Sequence, residues 1–483
     1  MTLWIKNANI ATMDKARPHA QAAVVIGGFF ACVGSEKETE AYLNAHPQEE
    51  LETIDCGGNF VMSGFNDSHM HLLNYGSSLL KAQLAAHTES LEDMLACLDT
   101  FQKEHPRKDG AWLMGRGWNQ DYFTDVDRMP NRYDLDRVST EVPICATRAC
   151  GHCLVVNSKA LELLGVTSSE SDDYCVYRAV PWQTVNEAYK ELEESGELTV
   201  RVYEQSNFTD LESLKGFVEA GNVTGIGTDR FKIGPLKMLG DGALGARTAF
   251  LSRPYADDPS TCGIPVFTQE TMDEMIGYAN AHGMQAAVHT IGDACLDRVL
   301  SAYEKALAEN PREDHRHGIV HCQITRADQL EKIAKMHLHV YAQSIFLDYD
   351  NHIVEERVGK ELASTSYSWK TLMNNGVSVS NGTDCPVELP DALACMQCAV
   401  TRTTLRDHVG PYLPDQKFTV QEALDSYTIR SAEASFEENV KGQIAEGMMA
   451  DFVVLGQNPF EVDESAIKDI PVCRTYLAGE LVY

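Results

Sequence analysis

Two imidazoles stand two residues apart at His69 and His71, shortly after the apolar run Phe60-Val61-Met62. Residues two apart on an extended chain face the same way, so a strand can turn both nitrogens of an H-x-H pair toward one cation. By itself H-x-H does not separate a ligand pair from two surface histidines. A second instance, His337-Leu338-His339, precedes its apolar run and is read as structural or solvated. Three more chemical residues terminate apolar runs: His289 after Gln285-Ala286-Ala287-Val288, His321 after Gly318-Ile319-Val320, and Asp384 a few residues beyond Val377-Ser378-Val379-Ser380. Any one of them fits a buried, hydrogen-bonded polar group equally well. Four histidines and one aspartate in corresponding places are poorly explained by chance.

The elements that must position them alternate short apolar strands with longer amphipathic helices, the signature of parallel βα units. Strands are expected at 285–289, 318–321, 340–343 and 377–380, and the segment Asp293 to Glu309 carries Leu296, Val299, Leu300, Tyr303 and Leu307 on one helical face. Asp293 is placed to cap that helix. A closed α/β barrel of the TIM (β/α)₈ kind fits better than an open sheet, because no G-x-G-x-x-G turn follows the early strands and the polar residues gather at strand ends. The runs Leu3-Trp4-Ile5, Ala23 to Ile26, Asp451 to Leu455 and Arg474 to Val482 read as strands from the two ends of the chain, the last with a hairpin turn at Gly479-Glu480. The expected organisation is one small β domain built by the two chain ends, residues 1–61 and 441–483, and a barrel over 62–440, with the polar, acidic stretch 167–228 as an insertion.

The motifs around these residues resemble the amidohydrolase superfamily, in detail its amidohydrolase-3 (YtcJ-like) branch, over nearly the whole chain. Gly64-Phe65-Asn66-Asp67-Ser68-His69-Met70-His71 is similar to G-F-x-D-x-H-x-H, and Gly151-His152 through Asn157-Ser158 to G-H-x-x-x-x-N-S. Lys237 through Asp241-Gly242, Gly245, Arg247 and Thr248 follows K-x-x-x-D-G-x-L-G-x-R-T. The resemblance implies one or two divalent ions, usually zinc, held by His69, His71, His289 and His321, with Asp384 binding metal and shuttling a proton. It also places Lys237 where two-metal relatives carry a carboxylated lysine; a carbamate is an anionic oxygen ligand that can bridge two cations, whereas an ammonium cannot ligate. The alternative for Lys237 is an ordinary ion pair with Asp241. Two departures stand out: Cys150 replaces the usual Asp before Gly151-His152, and Thr383-Asp384 replaces Ser-Asp.

The chemistry implied is hydrolysis of an amide, N-formyl or N-acyl C–N bond of a small molecule, with Asp384 taking a proton from water and returning it to the leaving nitrogen, and His152 assisting at the oxyanion. A mononuclear deaminase of a heterocyclic amine stays open, as does a non-enzymatic binding homologue. Trp118 and His152 resemble positions near the family's pocket, and Arg247 and Arg402 are candidates to pair a substrate carboxylate or to make internal salt bridges. Cys150 and Cys153 form one C-x-x-C and Cys395 and Cys398 another; helical spacing from Ala392 to Val400 explains the second by packing, against a structural zinc site as the alternative.

Composition bounds the rest. At 483 residues and 44% hydrophobic content the chain can form a large core plus a smaller one. Forty Lys+Arg against 71 Asp+Glu, a formal charge of −31, argue against nucleic acid and anionic membranes as partners. With no signal-like start or long apolar run, and with 14 cysteines read as reduced thiols, a cytoplasmic protein is expected; homo-oligomerisation is left open.

Overall fold

The computed structural model describes residues 2–48, 50–68, 81–105, 113–126, 130, 132–142, 144–149, 154–156, 181–195, 201–384, 387–388 and 391–481. The chain divides into two compact units, one of Met1–His69, Trp182–Thr383 and Asp391–Tyr483, the other of Met70–Pro181 and Asp384–Pro390.

The first unit holds a six-stranded parallel sheet in simple sequence order: Val202–Asn207, Phe231–Leu239, Ala286–Thr290, Gly318–His321, His339–Ala342 and Val379–Asn381. The central strands are buried along their whole length, as parallel strands covered on both faces must be. Each is followed by helix. Asp293–Glu309 buries Cys295, Leu296, Val299, Leu300, Ala302, Tyr303 and Ala306, one stripe facing the sheet. Gly318 lets the Tyr341 ring lie across its strand, since a Cβ there would stand 2.3 Å from that ring.

Two antiparallel-rich sheets in the same unit bring the chain ends together. One runs Phe29–Gly34, Ala22–Ile26, Thr2–Lys6, Leu51–Asp55; the other runs Glu480–Leu481, Val472–Leu477, Phe452–Leu455, Phe60–Ser63, Asn9–Ala11, His19–Ala20. Leu3, Ile5, Val25 and Phe30 from the first and Ile10, Val61, Phe452 and Tyr476 from the second share one buried cluster. Asp451 secures the junction, accepting from Arg201 Nε at 2.8 Å and from the Ala478 N–H at 2.8 Å.

In the second unit, Ala82–Gln83, Leu113–Trp118 and Ile144–Arg148 pair in parallel and Leu154–Val156 adds antiparallel. The helix Leu91–Glu104, capped by Ser90, buries Leu91, Met94, Leu95 and Leu98 against them. No helix among the described residues is long and apolar enough to cross a membrane.

Three local expectations are corrected. Val202–Asn207, inside the stretch expected as an insertion, is the first strand of the parallel sheet; its polar residues Glu204, Ser206 and Asn207 are buried, so polarity there marked an interior-facing strand, not a surface excursion. The terminal hairpin turns at Ala478-Gly479, both at positive φ, because Leu477 pairs with Glu480. Asp293 does not cap its helix: its carboxylate accepts from Ser252 N–H at 2.9 Å and Oγ at 2.5 Å and pairs with Arg326 at 2.8 Å.

Candidate metal centre

His289 and His321 end neighbouring strands, and their rings meet. His321 Nε2 lies 2.9 Å from His289 Nδ1, with ring centroids 4.4 Å apart and planes at 77°. His289 Nε2 lies 3.2 Å from the Gly242 carbonyl, so Nε2 carries the proton and Nδ1 is the lone pair that receives His321. His321 leaves its strand at φ 75°, followed by Cys322 at 52°, a pair of left-handed residues that swings the ring onto His289. The Trp369 indole donates to the His321 carbonyl at 3.0 Å, and the Phe346 ring stacks on the imidazole with centroids 5.6 Å apart. Both histidines are buried.

Asp241 brackets the turn after His289. One carboxylate oxygen accepts the Ile291 N–H at 3.0 Å and stands 3.5 Å from His289 Nε2; the other accepts from Gly292 at 2.7 Å and Phe250 at 2.8 Å. Burial pushes this carboxyl up to about 7, against the pull of those three N–H groups. Its role was missed in the sequence, where it was weighed only as an ion-pair partner for Lys237; an acid just past an apolar strand was the signal. Lys237 is buried on the adjacent strand, where Leu239 pairs with His289, and its ammonium donates to Gln205 Oε1 at 3.4 Å.

The segment approaching His69 is also fixed. Asp67 Oδ2 accepts the Thr383 hydroxyl at 2.6 Å and both its oxygens lie 3.2 Å from the Thr383 N–H, while the Ser68 N–H donates to Asn381 O at 3.2 Å. Asp384 follows Thr383, buried and at φ 55°, within the second unit. His69, His71 and His152 lie outside the described residues, as do Cys150 and Cys153. Among the described residues no cluster of three or more His, Cys, Asp or Glu is arranged around an ion. The His289–His321 pair nevertheless fits a cation: two nitrogens each about 2.0–2.1 Å from one ion stand roughly 3 Å apart, and ligation would release the proton they share.

The remaining candidates are occupied in other ways. The Trp118 indole is buried in the apolar cluster of the second unit and donates to Ala146 O at 2.9 Å, so it is a core residue. Arg247 pairs with Asp257, Nη2 to Oδ2 at 2.6 Å, and Arg357 binds the same carboxylate. Arg402 is buried, donating to Tyr412 O at 2.7 Å and Tyr367 O at 3.1 Å beneath the Trp369 and Tyr412 rings. Its Nε and Nη1 partners are backbone carbonyls rather than a carboxylate, and its Nη2 has no partner among the described residues. Cys395 and Cys398 are buried in the helix Ala392–Thr401, and burial pushes the Cys395 thiol up to about 12, which opposes the thiolate that zinc requires.

The amidohydrolase family model matches residues 52–181 and 176–483. The chain belongs to the amidohydrolase family. It is 31% identical to YtcJ of Bacillus subtilis, a protein named as an amidohydrolase, over 98% of each chain. It is 24% identical to the N-substituted formamide deformylase of Arthrobacter pascens, covering 100% of this chain and 98% of that one. The crystal structure of an uncharacterized metal-dependent hydrolase from Pyrococcus horikoshii superposes with a TM-score of 0.77 at 27% identity, covering 96% of this chain and 99% of that one. In this family setting the six parallel strands and the histidine pair at their carboxyl ends are parts of a hydrolase.

Proposed function

We propose that this amidohydrolase cleaves an amide, N-formyl or N-acyl C–N bond of a small molecule, on a closed (β/α)₈ barrel over 62–440 with a β-sandwich formed by 1–61 and 441–483. The observation that carries the reading is the His289–His321 contact, two ring nitrogens 2.9 Å apart at the carboxyl ends of adjacent parallel strands, where barrels assemble their sites. His69, His71, His289 and His321 would hold a divalent cation, with Asp384 and a carboxylated Lys237 as oxygen ligands; zinc suits such nitrogen and oxygen donors. When bound, the cation acidifies water and polarises the substrate carbonyl. Gly242 O and Asp241 keep the His289 tautomer that leaves Nδ1 unprotonated. Asp384 accepts a proton from the attacking water and returns it to the leaving nitrogen, while His152 donates to the developing oxyanion. The formamide named in one relative supports an N-formyl substrate.

Metal analysis of the purified protein, combined with turnover of N-acyl amino acids, N-substituted formamides and cyclic amides, tests this. One or two ions per chain and release of formate or carboxylate are expected. Metal-independent turnover would overturn the mechanism, and ammonia release from heterocyclic amines alone would replace it with deamination.

A further inference from the structure

Gln343 directly follows the strand His339–Ala342, is 1% exposed, and neither Oε1 nor Nε2 of its carboxamide has a hydrogen-bond partner among the described residues. Buried polar groups are almost always paired, because the fold gains nothing from water it has excluded. A leucine or methionine would pack there without that cost. A buried carboxamide with both polar ends unpaired among the described residues marks a place built for something other than folding.

Its position says what. Tyr341 packs with Ala287 and Val320, and Gln343, two residues on, faces the same side. Ala287 likewise precedes His289 by two residues, and His289 pairs with Val320 and Val320 with Tyr341, so Gln343 and His289 continue one face of the sheet toward the strand ends. The Gln343 carbonyl accepts the Phe346 N–H at 3.1 Å, and Phe346 is the ring stacked on His321. On the other flank the Ser344 N–H donates to Asn381 Oδ1 at 3.1 Å, on the strand that leads to Thr383.

We propose that Gln343 is a specificity-determining residue that reads an amide of the substrate. A carboxamide offers one acceptor and one donor side by side, and both are filled at once by a ligand whose N–H and C=O lie on the same edge. That arrangement belongs to amides held cis: lactams, imides and hydantoin-like rings. An open-chain trans amide presents the two groups on opposite edges and fills only one. The preferred substrates are therefore cyclic amides, an inference that rests on the reading of this site as a C–N hydrolase.

Calorimetric binding of hydantoin and of N,N′-dimethylhydantoin to the metal-loaded protein tests the idea, alongside melting temperature and turnover of an open-chain formamide. The wild type is expected to bind hydantoin at least ~10-fold more tightly than its dimethyl form, because a buried polar group left unpaired by the analogue discriminates strongly. Gln343→Met should lose that preference while melting at the same or a higher temperature, since methionine leaves nothing unpaired. Gln343→Asn, which keeps the carboxamide one methylene short, should also lose the preference and serves if the methionine variant does not fold. No hydantoin binding, equal binding of both hydantoins by the wild type, or an undiminished preference in the variants overturns the assignment. A variant that melts lower with its preference intact makes Gln343 a structural residue. A wild type that shows the hydantoin preference but hydrolyses neither the open-chain formamide nor a cyclic amide would instead refute the hydrolase reading and leave the amide-binding assignment standing.

Discussion

The carboxylate of Asp67 clasps Thr383 by both hydroxyl and backbone, with Oδ2 at 2.6 Å from Oγ1 and at 3.2 Å from the amide nitrogen. It joins the residue two before His69 to the residue immediately before Asp384. Asp67→Ala is expected to lower kcat or metal affinity about 10–100-fold, the usual cost of losing a group that orients ligands. Thr383→Ser keeps the hydroxyl and should remain close to wild type. Equal activity of both variants, measured per folded molecule, would limit the clasp to a structural role.

His289→Ala should lose both bound metal and turnover while its melting temperature stays near wild type, because the parallel sheet is held by the apolar side chains buried along its strands. Metal content by mass spectrometry and kcat on the same preparation are the check. Full occupancy with a wild-type rate removes His289 from the site.

Lys237→Ala should reduce metal content, and bicarbonate should raise the activity of bicarbonate-depleted apo-protein when metal is restored. A mass measured under non-acidic conditions showing an unmodified amine beside a single ion would exclude the carbamate.

Asp384→Asn is expected to keep most of its metal and lose ~10²–10⁴-fold in kcat, since an amide cannot accept and return a proton. If Asp384 is only a structural group beyond the strand Val379–Asn381, the substitution should lower the melting temperature and leave kcat per folded molecule unchanged.

His339 is buried with Nε2 2.7 Å from Ser380 Oγ, and burial, helped by Arg316 and Arg430, pushes its imidazole down to about 3. His317, enclosed by Asn280, Tyr303 and His315, is also held well below its ordinary value by burial. Below about pH 6.5 the unfolded chain takes up protons that these folded residues refuse, so stability falls with pH at about 1.4 kcal/mol per unit for each group. For His339 the loss continues down to its folded value of about 3. Urea midpoints between about pH 7 and pH 5 should show the slope, and His339→Gln should remove one group's share. Because the raised carboxyl of Asp241 works in the opposite direction over that range, the comparison decides: the same pH slope in wild type and His339→Gln would exclude the effect.

What the sequence determined by itself was local. Periodicity placed the helix at Asp293–Glu309 with the bounds observed, and the Gly318–His321 strand ends on its histidine as read, because side-chain alternation and helical stripes are set by neighbours a few residues away. The motifs sufficed for the family. The tertiary structure alone decided what distant groups do to one another. Asp67 and Thr383 are 316 residues apart, Arg201 and Asp451 250 apart, and no spacing rule links either pair. Trp118 and Arg402 had the chemistry of ligand contacts but are taken up by the carbonyls of Ala146, Tyr367 and Tyr412. Gln343 had no signal at all in the sequence, because a carboxamide without a partner among the described residues is recognisable only once the fold has buried it.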